Sequence, residues 1–349
     1  MMTAERLLAG PRGRRLLLHV ALTCDLDQEQ SLARAVSDTS YAIAVTRGHA
    51  VSRFGWGDPG PERTMADVVA ALGSLDLGPI GDAVVWEALS ASVDSAMYWQ
   101  EPDGGDLLAA RPAVVEGLGP VAERVAALPT PLWWGGPAPV GDQWELQWDE
   151  AGAGPPRGTL AGWREEVLLE EERATVERAG SVEEMISGFW WSRPPHWLCS
   201  STRLVDGVPV GMRLVEDACG WTRATATRLQ VADGARIYEV DSAAAWAGLC
   251  REFPLEVTAQ RRHDWYRTTG REGRWVVPDW AAVAGSYDAV RLSVEGYLEA
   301  ATTAIPVAGE LASVIAGWDP DTTWWLTGAA APTGQSRRVV WDPDAGQAG

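Results

Sequence analysis

The densest group of chemically capable side chains lies in residues 188–203, GFWWSRPPHWLCSSTR. This stretch holds three tryptophans, a histidine, a cysteine, four hydroxyl side chains and two arginines. We predict a strand over His196–Arg203, because two prolines precede it and a run of hydroxyl residues disfavours a helix. Alternate strand residues share a face, which separates His196 from Cys199 and disfavours a Cys–His dyad. The predicted ligand contacts in this stretch are Trp191, Ser201, Thr202 and Arg203, with His196 as a catalytic candidate.

A hydroxyl-bearing strand beside an arginine, with a distant glutamate, loosely resembles the site of ADP-ribosyltransferases. The resemblance covers a few residues only: Trp190, Trp191, Ser201, Thr202, Arg203 and Glu295. It implies that the strand supports a bound dinucleotide such as NAD, that an aromatic ring stacks on nicotinamide, and that Glu295 activates the acceptor. The alternative is structural, with the hydroxyls bonding one another and the neighbouring backbone in a sheet.

A second polar concentration is RRHDWYRTTGREGRWVVPDW, residues 261–280. We interpret His263 to Arg274 as a loop held between fixed elements, where binding residues are common. Its arginines and hydroxyls favour the capture of an anion, with His263, Thr268 and Arg271 as contacts. The alternative is a surface turn whose arginines are solvated.

Carboxylates are numerous, and those at strand ends could act as general acid or base. We favour Glu295, which follows the apolar strand RLSV, over the other strand-end candidates. Those other candidates are Glu216, Asp217, Glu239, Asp241 and Asp288. Most solvated carboxylates have no catalytic role, so the alternative is that these residues are ordinary surface groups.

The motifs of several enzyme classes are missing from the sequence. It has no lysine, which excludes Schiff-base chemistry and a Walker lysine. The four cysteines have no zinc-type spacing, and we expect no metal site. Asp25 and Asp27 in CDLDQ are better explained as helix caps than as a phosphatase nucleophile and acid.

Composition indicates which classes of partner are disfavoured and which cellular compartment to expect. The formal net charge is −19, with 48 acidic against 29 basic residues, which disfavours nucleic acid and anionic membrane surfaces. We see no secretory signal and no apolar run long enough for a membrane span, and expect a cytoplasmic protein. Twenty tryptophans against three phenylalanines indicate that tryptophan fills much of the core.

The pattern of elements predicts an α+β fold in two domains. Residues 1–180 read as a helix-rich domain with a small sheet, which includes a strand at Leu16–Thr23 and a hairpin at Tyr41–Trp56. Residues 181–330 read as a mainly antiparallel sheet with flanking helices, a hairpin turn at Asp206-Gly207 and a closing hairpin around Asp319–Asp321. Residues 331–349 read as a flexible tail.

The function expected from these residues is ligand handling in the C-terminal half. The sharpest version is an enzyme that transfers a group on a nucleotide-like or other small anionic molecule, with NAD as a possible cofactor. The alternative is a non-catalytic interaction or immunity-type protein that uses tryptophan-rich surfaces to bind a protein partner.

Overall fold

The N-terminal half folds into helices around an apolar core. The computed structural model describes residues 2–26, 31–49, 62–150, 158–178, 180–183, 187–218 and 220–341. Its helices in this half are Ala4–Ala9 (α1), Pro11–Leu26 (α2), Ser31–Thr46 (α3), Met65–Ser74 (α4), Asp82–Asp94 (α5), Gly104–Ala109 (α6), Pro112–Gly117 (α7), Gly119–Ala126 (α8) and Leu160–Glu177 (α9). Thr159 caps α9, and its Oγ1 accepts a hydrogen bond from Gly162 N at 3.1 Å.

Two strand predictions in this half are wrong. Residues 16–23 belong to α2, and Leu16, Leu17 and Val20 are fully buried within it. A short apolar run does not distinguish a strand from a helix that is covered on several sides. Residues 41–46 of the predicted hairpin belong to α3, and residues 50–56 lie outside the described part of the chain.

The C-terminal half combines short strands with four helices. The helices are Ala243–Glu252 (α10), Thr258–Thr269 (α11), Trp280–Ser286 (α12) and Val294–Ala300 (α13). The strands of the described chain are Gln143–Trp148 (β1), Ser200–Ser201 (β2), Leu204–Val205 (β3), Val208–Pro209 (β4), Arg223–Val231 (β5), Ile237–Val240 (β6), Pro254–Glu256 (β7), Arg274–Pro278 (β8), Ala289–Leu292 (β9), Ile305–Ala308 (β10), Leu311–Ser313 (β11), Thr323–Trp325 (β12) and Ala330–Val340 (β13).

These strands form three sheets and a hairpin, in the orders β1-β5-β13, β10-β11-β8-β7, β2-β12-β9-β6 and β3-β4. The β6–β9 and β8–β11 pairs are parallel, and the other pairs between described strands are antiparallel. The α+β fold class is therefore confirmed. β1, at residues 143–148 of the N-terminal half, pairs with β5 of the C-terminal half.

The turn predictions had mixed outcomes. The β3–β4 hairpin is confirmed, with Asp206 and Gly207 at φ 52° and 75° as its turn chemistry requires. The closing hairpin is wrong, because β11 and β12 lie in different sheets. The loose tail is wrong over residues 331–340, since they belong to β13 and pair with β5, while residues 342–349 are outside the described chain.

One hydrophobic cluster includes side chains from both halves, such as Leu17 of α2 and Leu292 of β9. The domain boundary near residue 180 stays a prediction. Tryptophan fills the core as expected, and seven tryptophans are among the largest fully buried side chains. No helix among the described residues is long and apolar enough to cross a membrane.

Candidate functional site

The predicted strand over residues 196–203 is shorter in the structure. Only Ser200 and Ser201 form a strand, β2, which pairs with β12. Ser201 is buried, its Oγ donates to Gln143 Oε1 at 2.6 Å, and it accepts from Trp325 Nε1 at 2.7 Å. His196 lies exposed in the turn before the strand. The hydroxyl of Ser201 is therefore fully used inside the protein.

Arg203 belongs to a buried charge network rather than to an open cleft. Its Nε donates to Asp321 Oδ1 at 2.9 Å, and Arg291 Nη2 donates to the same oxygen at 2.6 Å. Thr202 Oγ1 also donates to Asp321, at 3.2 Å, and Arg291 Nη1 reaches Glu239 Oε2 at 2.9 Å. The network ties β2, β9, β6 and the turn before β12 together. A buried pair of this kind holds geometry, and removing one partner is costly.

Glu295 is also engaged. It lies in the first turn of α13, is almost fully buried, and forms an ion pair with Arg6 of α1. Gly135 lies directly against its carboxylate, so a Cβ at that position would displace the Glu295 carboxylate. Trp191 packs edge-on against Trp190, with ring centroids 5.9 Å apart.

The predicted loop over residues 263–274 is mostly helix, which corrects the sequence interpretation. Residues 258–269 form α11, and the turn begins only at Gly270. His263 is fully buried, with Nδ1 3.2 Å from the Val182 carbonyl oxygen. Arg271 lies over the Trp275 ring at 4.7 Å. Neither residue meets the β2 network, so the predicted residues do not converge on one cavity.

Sequence reasoning did not find a cavity lined by tryptophans, although it named two carboxylates of its lining, Glu216 and Asp217. This tryptophan cavity has a volume of about 660 Å³, within the range of small-molecule sites. Four tryptophans line it: Trp86, Trp148, Trp221 and Trp341. They come from α5, the end of β1, the segment before β5 and the end of β13, so no local motif announces them.

A guanidinium group already lies between two of these rings. The Arg213 Cζ is 4.9 Å from the Trp86 ring centroid and 4.5 Å from that of Trp341. The other two rings, Trp148 and Trp221, have centroids 5.9 Å apart with planes inclined by 52°. The aromatic lining therefore has the geometry that accepts a flat cation.

The cavity is also rich in carboxylates, namely Glu87, Asp94, Glu216 and Asp217. Asp94 accepts a hydrogen bond from Ala218 N at 2.9 Å, and Asp217 accepts one from Trp99 Nε1 at 2.9 Å. The hydroxyl of Tyr98 donates to Glu216. Burial, followed by the charge of Asp319, raises the pKa of Glu216 to about 8.

The second cavity is smaller and more polar. It has a volume of about 330 Å³ and lies among the start of α2, the end of α5, α6, the end of α11 and the turn after α13. We name it the hydroxyl cavity after five residues that line it: Ser95, Thr268, Thr269, Thr302 and Thr303. Of the nine predicted site residues, only Thr268 lines either cavity.

The described residues contain no group of three or more His, Cys, Asp or Glu side chains arranged to hold a metal ion. Comparisons with protein-family models, with curated proteins and with solved structures give no match to this chain.

Proposed function

We propose that the protein binds a planar organic cation in the tryptophan cavity. The observation that carries this proposal is the stacking of Arg213 between Trp86 and Trp341, inside a cavity with two further tryptophans. A guanidinium or amidinium group of a ligand would find the same kind of surface at Trp148 and Trp221. A desolvated contact of this kind contributes about 2 kcal/mol.

The charges in the cavity favour a cation over an anion. Glu87 and Asp94 have no ion-pair partner among the described residues. Among the described residues of the lining Arg213 is the one basic residue, against four carboxylates, and its guanidinium lies over the Trp86 and Trp341 rings. Two unit charges 4 Å apart near a protein surface interact by about 4 kcal/mol. A nucleotide phosphate would therefore be repelled here, whereas a cation would be attracted.

Two other functions stay predictions. Group transfer on a nucleotide-like ligand, with NAD as cofactor, depends on Arg203 and Glu295, which are engaged with Asp321 and Arg6. The interaction protein has one supporting observation, because α9 exposes Leu169 and Val176, at 65% and 80%, seven residues apart along the helix.

Isothermal titration with benzamidine and with its neutral isostere benzamide tests the proposal. We expect benzamidine to bind at least about tenfold more tightly, a difference of about 1.4 kcal/mol. Trp221→Leu should weaken benzamidine binding by a similar factor, because Trp221 is 37% exposed and lines the cavity. Trp197→Leu is the matched control, since Trp197 lines neither cavity.

Equal affinity for benzamidine and benzamide, or no binding of either, would overturn the cation site. A parallel titration with NAD addresses the group-transfer prediction. If NAD binds and Arg203→Ala abolishes that binding while the protein stays folded, group transfer becomes the better-supported function.

A further inference from the structure

The hydroxyl cavity differs from the tryptophan cavity in how the charged side chains of its lining are paired. Asp106 forms an ion pair with Arg12, Asp103 pairs with Arg15, and Glu101 lies 3.1 Å from His49 Nε2. Each carboxylate that lines this cavity therefore has a basic partner. Ion pairs hold Asp103 and Asp106 in the wall of the cavity, and the pair of Asp106 with Arg12 is the buried one.

Arg14 is the exception among the charged residues of the lining. Its Nη1 donates to the carbonyl oxygens of Leu8 and Ala9, at 2.9 and 2.7 Å. Its Nη2 forms no hydrogen bond with any described residue, and the side chain forms no ion pair with any described residue. Burial lowers the pKa of Arg14, and the charge of Asp106 opposes that shift. The cavity thus contains one cation with unused donors, which is suited to a carboxylate.

The hydroxyl groups of the lining act as hydrogen-bond acceptors, whereas Arg14 is a donor. Thr269 Oγ1 donates to the Trp265 carbonyl oxygen at 2.6 Å, and Thr303 Oγ1 donates to that of Ala300 at 2.7 Å. Thr268 and Thr302 likewise donate to backbone carbonyl oxygens. A hydroxyl that donates its single hydrogen to the backbone presents only lone pairs to the cavity. A ligand here must therefore bring its own N–H or O–H donors.

The electrostatics at that end favour an ammonium donor. Thr268 and Thr269 are in the last turn of α11, where the helix dipole attracts positive charge. The carboxylates of Glu101, Asp103 and Asp106 line the same cavity. The cavity therefore combines one unsatisfied cation with a surplus of acceptors, which is the complement of a zwitterion.

We propose that the hydroxyl cavity is a second ligand site, which binds a free α-amino acid. Its carboxylate pairs with the open donors of Arg14, and its ammonium group donates to the threonine oxygens. The volume of about 330 Å³ is at the small end of ligand sites and suits a molecule of this size. This site is separate from the cation site, and neither proposal depends on the other.

The test is a thermal-shift screen of the full chain against the twenty common amino acids at about 10 mM, with sodium lactate and sodium chloride at equal concentration. We expect at least one amino acid to raise the Tm by about 2 °C or more above chloride. Lactate keeps the carboxylate but replaces the ammonium with a hydroxyl, so its shift should be smaller.

Two variants and one control variant test whether the Tm shift arises in the hydroxyl cavity. Arg14→Gln should abolish the shift, whereas Arg34→Gln, an exposed arginine on α3 that lines neither cavity, should keep it. Ala110→Phe fills the cavity from an exposed position and should also abolish the shift, even if Arg14→Gln fails to fold. The proposal is overturned if no amino acid shifts the Tm, if lactate matches the best amino acid, or if the shift survives in Ala110→Phe.

Discussion

The tryptophan cavity and the hydroxyl cavity contain similar numbers of carboxylates, yet their charges are arranged in opposite ways. Around the hydroxyl cavity Asp103 and Asp106 are paired with arginines, and the group left over is Arg14. Around the tryptophan cavity the basic residue is held by aromatic rings, and Glu87 and Asp94 are left over. Pairing, rather than the count of charged residues, therefore decides which ligand charge each cavity prefers.

One segment separates the two sites. Asp94 lines the tryptophan cavity, whereas Ser95 and Met97 line the hydroxyl cavity. Tyr98, which follows them, donates its hydroxyl to Glu216 and accepts a hydrogen bond at its carbonyl oxygen from Thr268. The segment from Asp94 to Tyr98, at and just after the end of α5, thus contacts both sites.

The largest expected effect tests whether a paired carboxylate contributes more to the free energy of unfolding than an unpaired one. Asp106→Asn removes the charge that compensates Arg12, whose side chain is only 1% exposed. We expect the free energy of unfolding to fall by about 3–5 kcal/mol, because a buried guanidinium loses its partner. Urea unfolding measures this directly.

Glu87→Gln is the comparison for that experiment in the tryptophan cavity. Glu87 is exposed and has no ion-pair partner among the described residues, so the change should stay within about 0.5 kcal/mol. Similar losses in the two variants would show that pairing does not distinguish the cavities.

The next effect uses pH to change the charge of the tryptophan cavity alone. The pKa of Glu216 is raised to about 8, so its carboxyl is mostly protonated at neutral pH and ionises as the pH rises through that value. A negative charge then appears in the lining. We expect benzamidine affinity to increase by about three- to tenfold between about pH 6.5 and 9.

Glu216→Gln should remove that dependence, because the amide cannot ionise. Isothermal titration across the pH range measures it, with Glu116→Gln, an exposed change on α7 that lines neither cavity, as the control. An undiminished rise in Glu216→Gln would assign the pH dependence to another group, and Asp319 would be the next to test, since burial raises its pKa to about 6.

The sequence predicted the fold class and many local elements, because caps, turns and amphipathic patterns are short-range signals. The Asp206-Gly207 turn of the β3–β4 hairpin is of this kind. It misassigned α2 because burial on several sides removes the amphipathic pattern that identifies a helix.

The site was harder to predict for a physical reason. Stretches such as SSTR and RRHDW were selected because polar residues are adjacent in sequence, and the structure uses many of them inside the protein. Ser201 donates a hydrogen bond to Gln143, and Arg203 donates one to Asp321, although both partners are distant in the sequence. Trp86 and Trp341 line the same cavity although they are 255 residues apart in the sequence, which only the fold can reveal.

The smallest effect concerns backbone strain at the two cavities. Thr302 in the hydroxyl cavity has φ 66°, and Asp217 in the tryptophan cavity has φ 48°. The left-handed region is costly for a β-branched residue and much less so for aspartate. Thr302→Gly should therefore raise the free energy of unfolding by up to about 1 kcal/mol, although it loses the Oγ1 bond to Ala301.

Asp217→Gly should gain little strain relief and should lose the hydrogen bond to Trp99, so we expect no gain in stability. Urea unfolding of the two variants resolves the difference. If Thr302→Gly is more stable but responds less to amino acids, the ligand needs the Thr302 oxygen or the strained turn that carries it. If it is more stable with an unchanged response, the strain has no part in binding, and the two cavities differ in their charges alone.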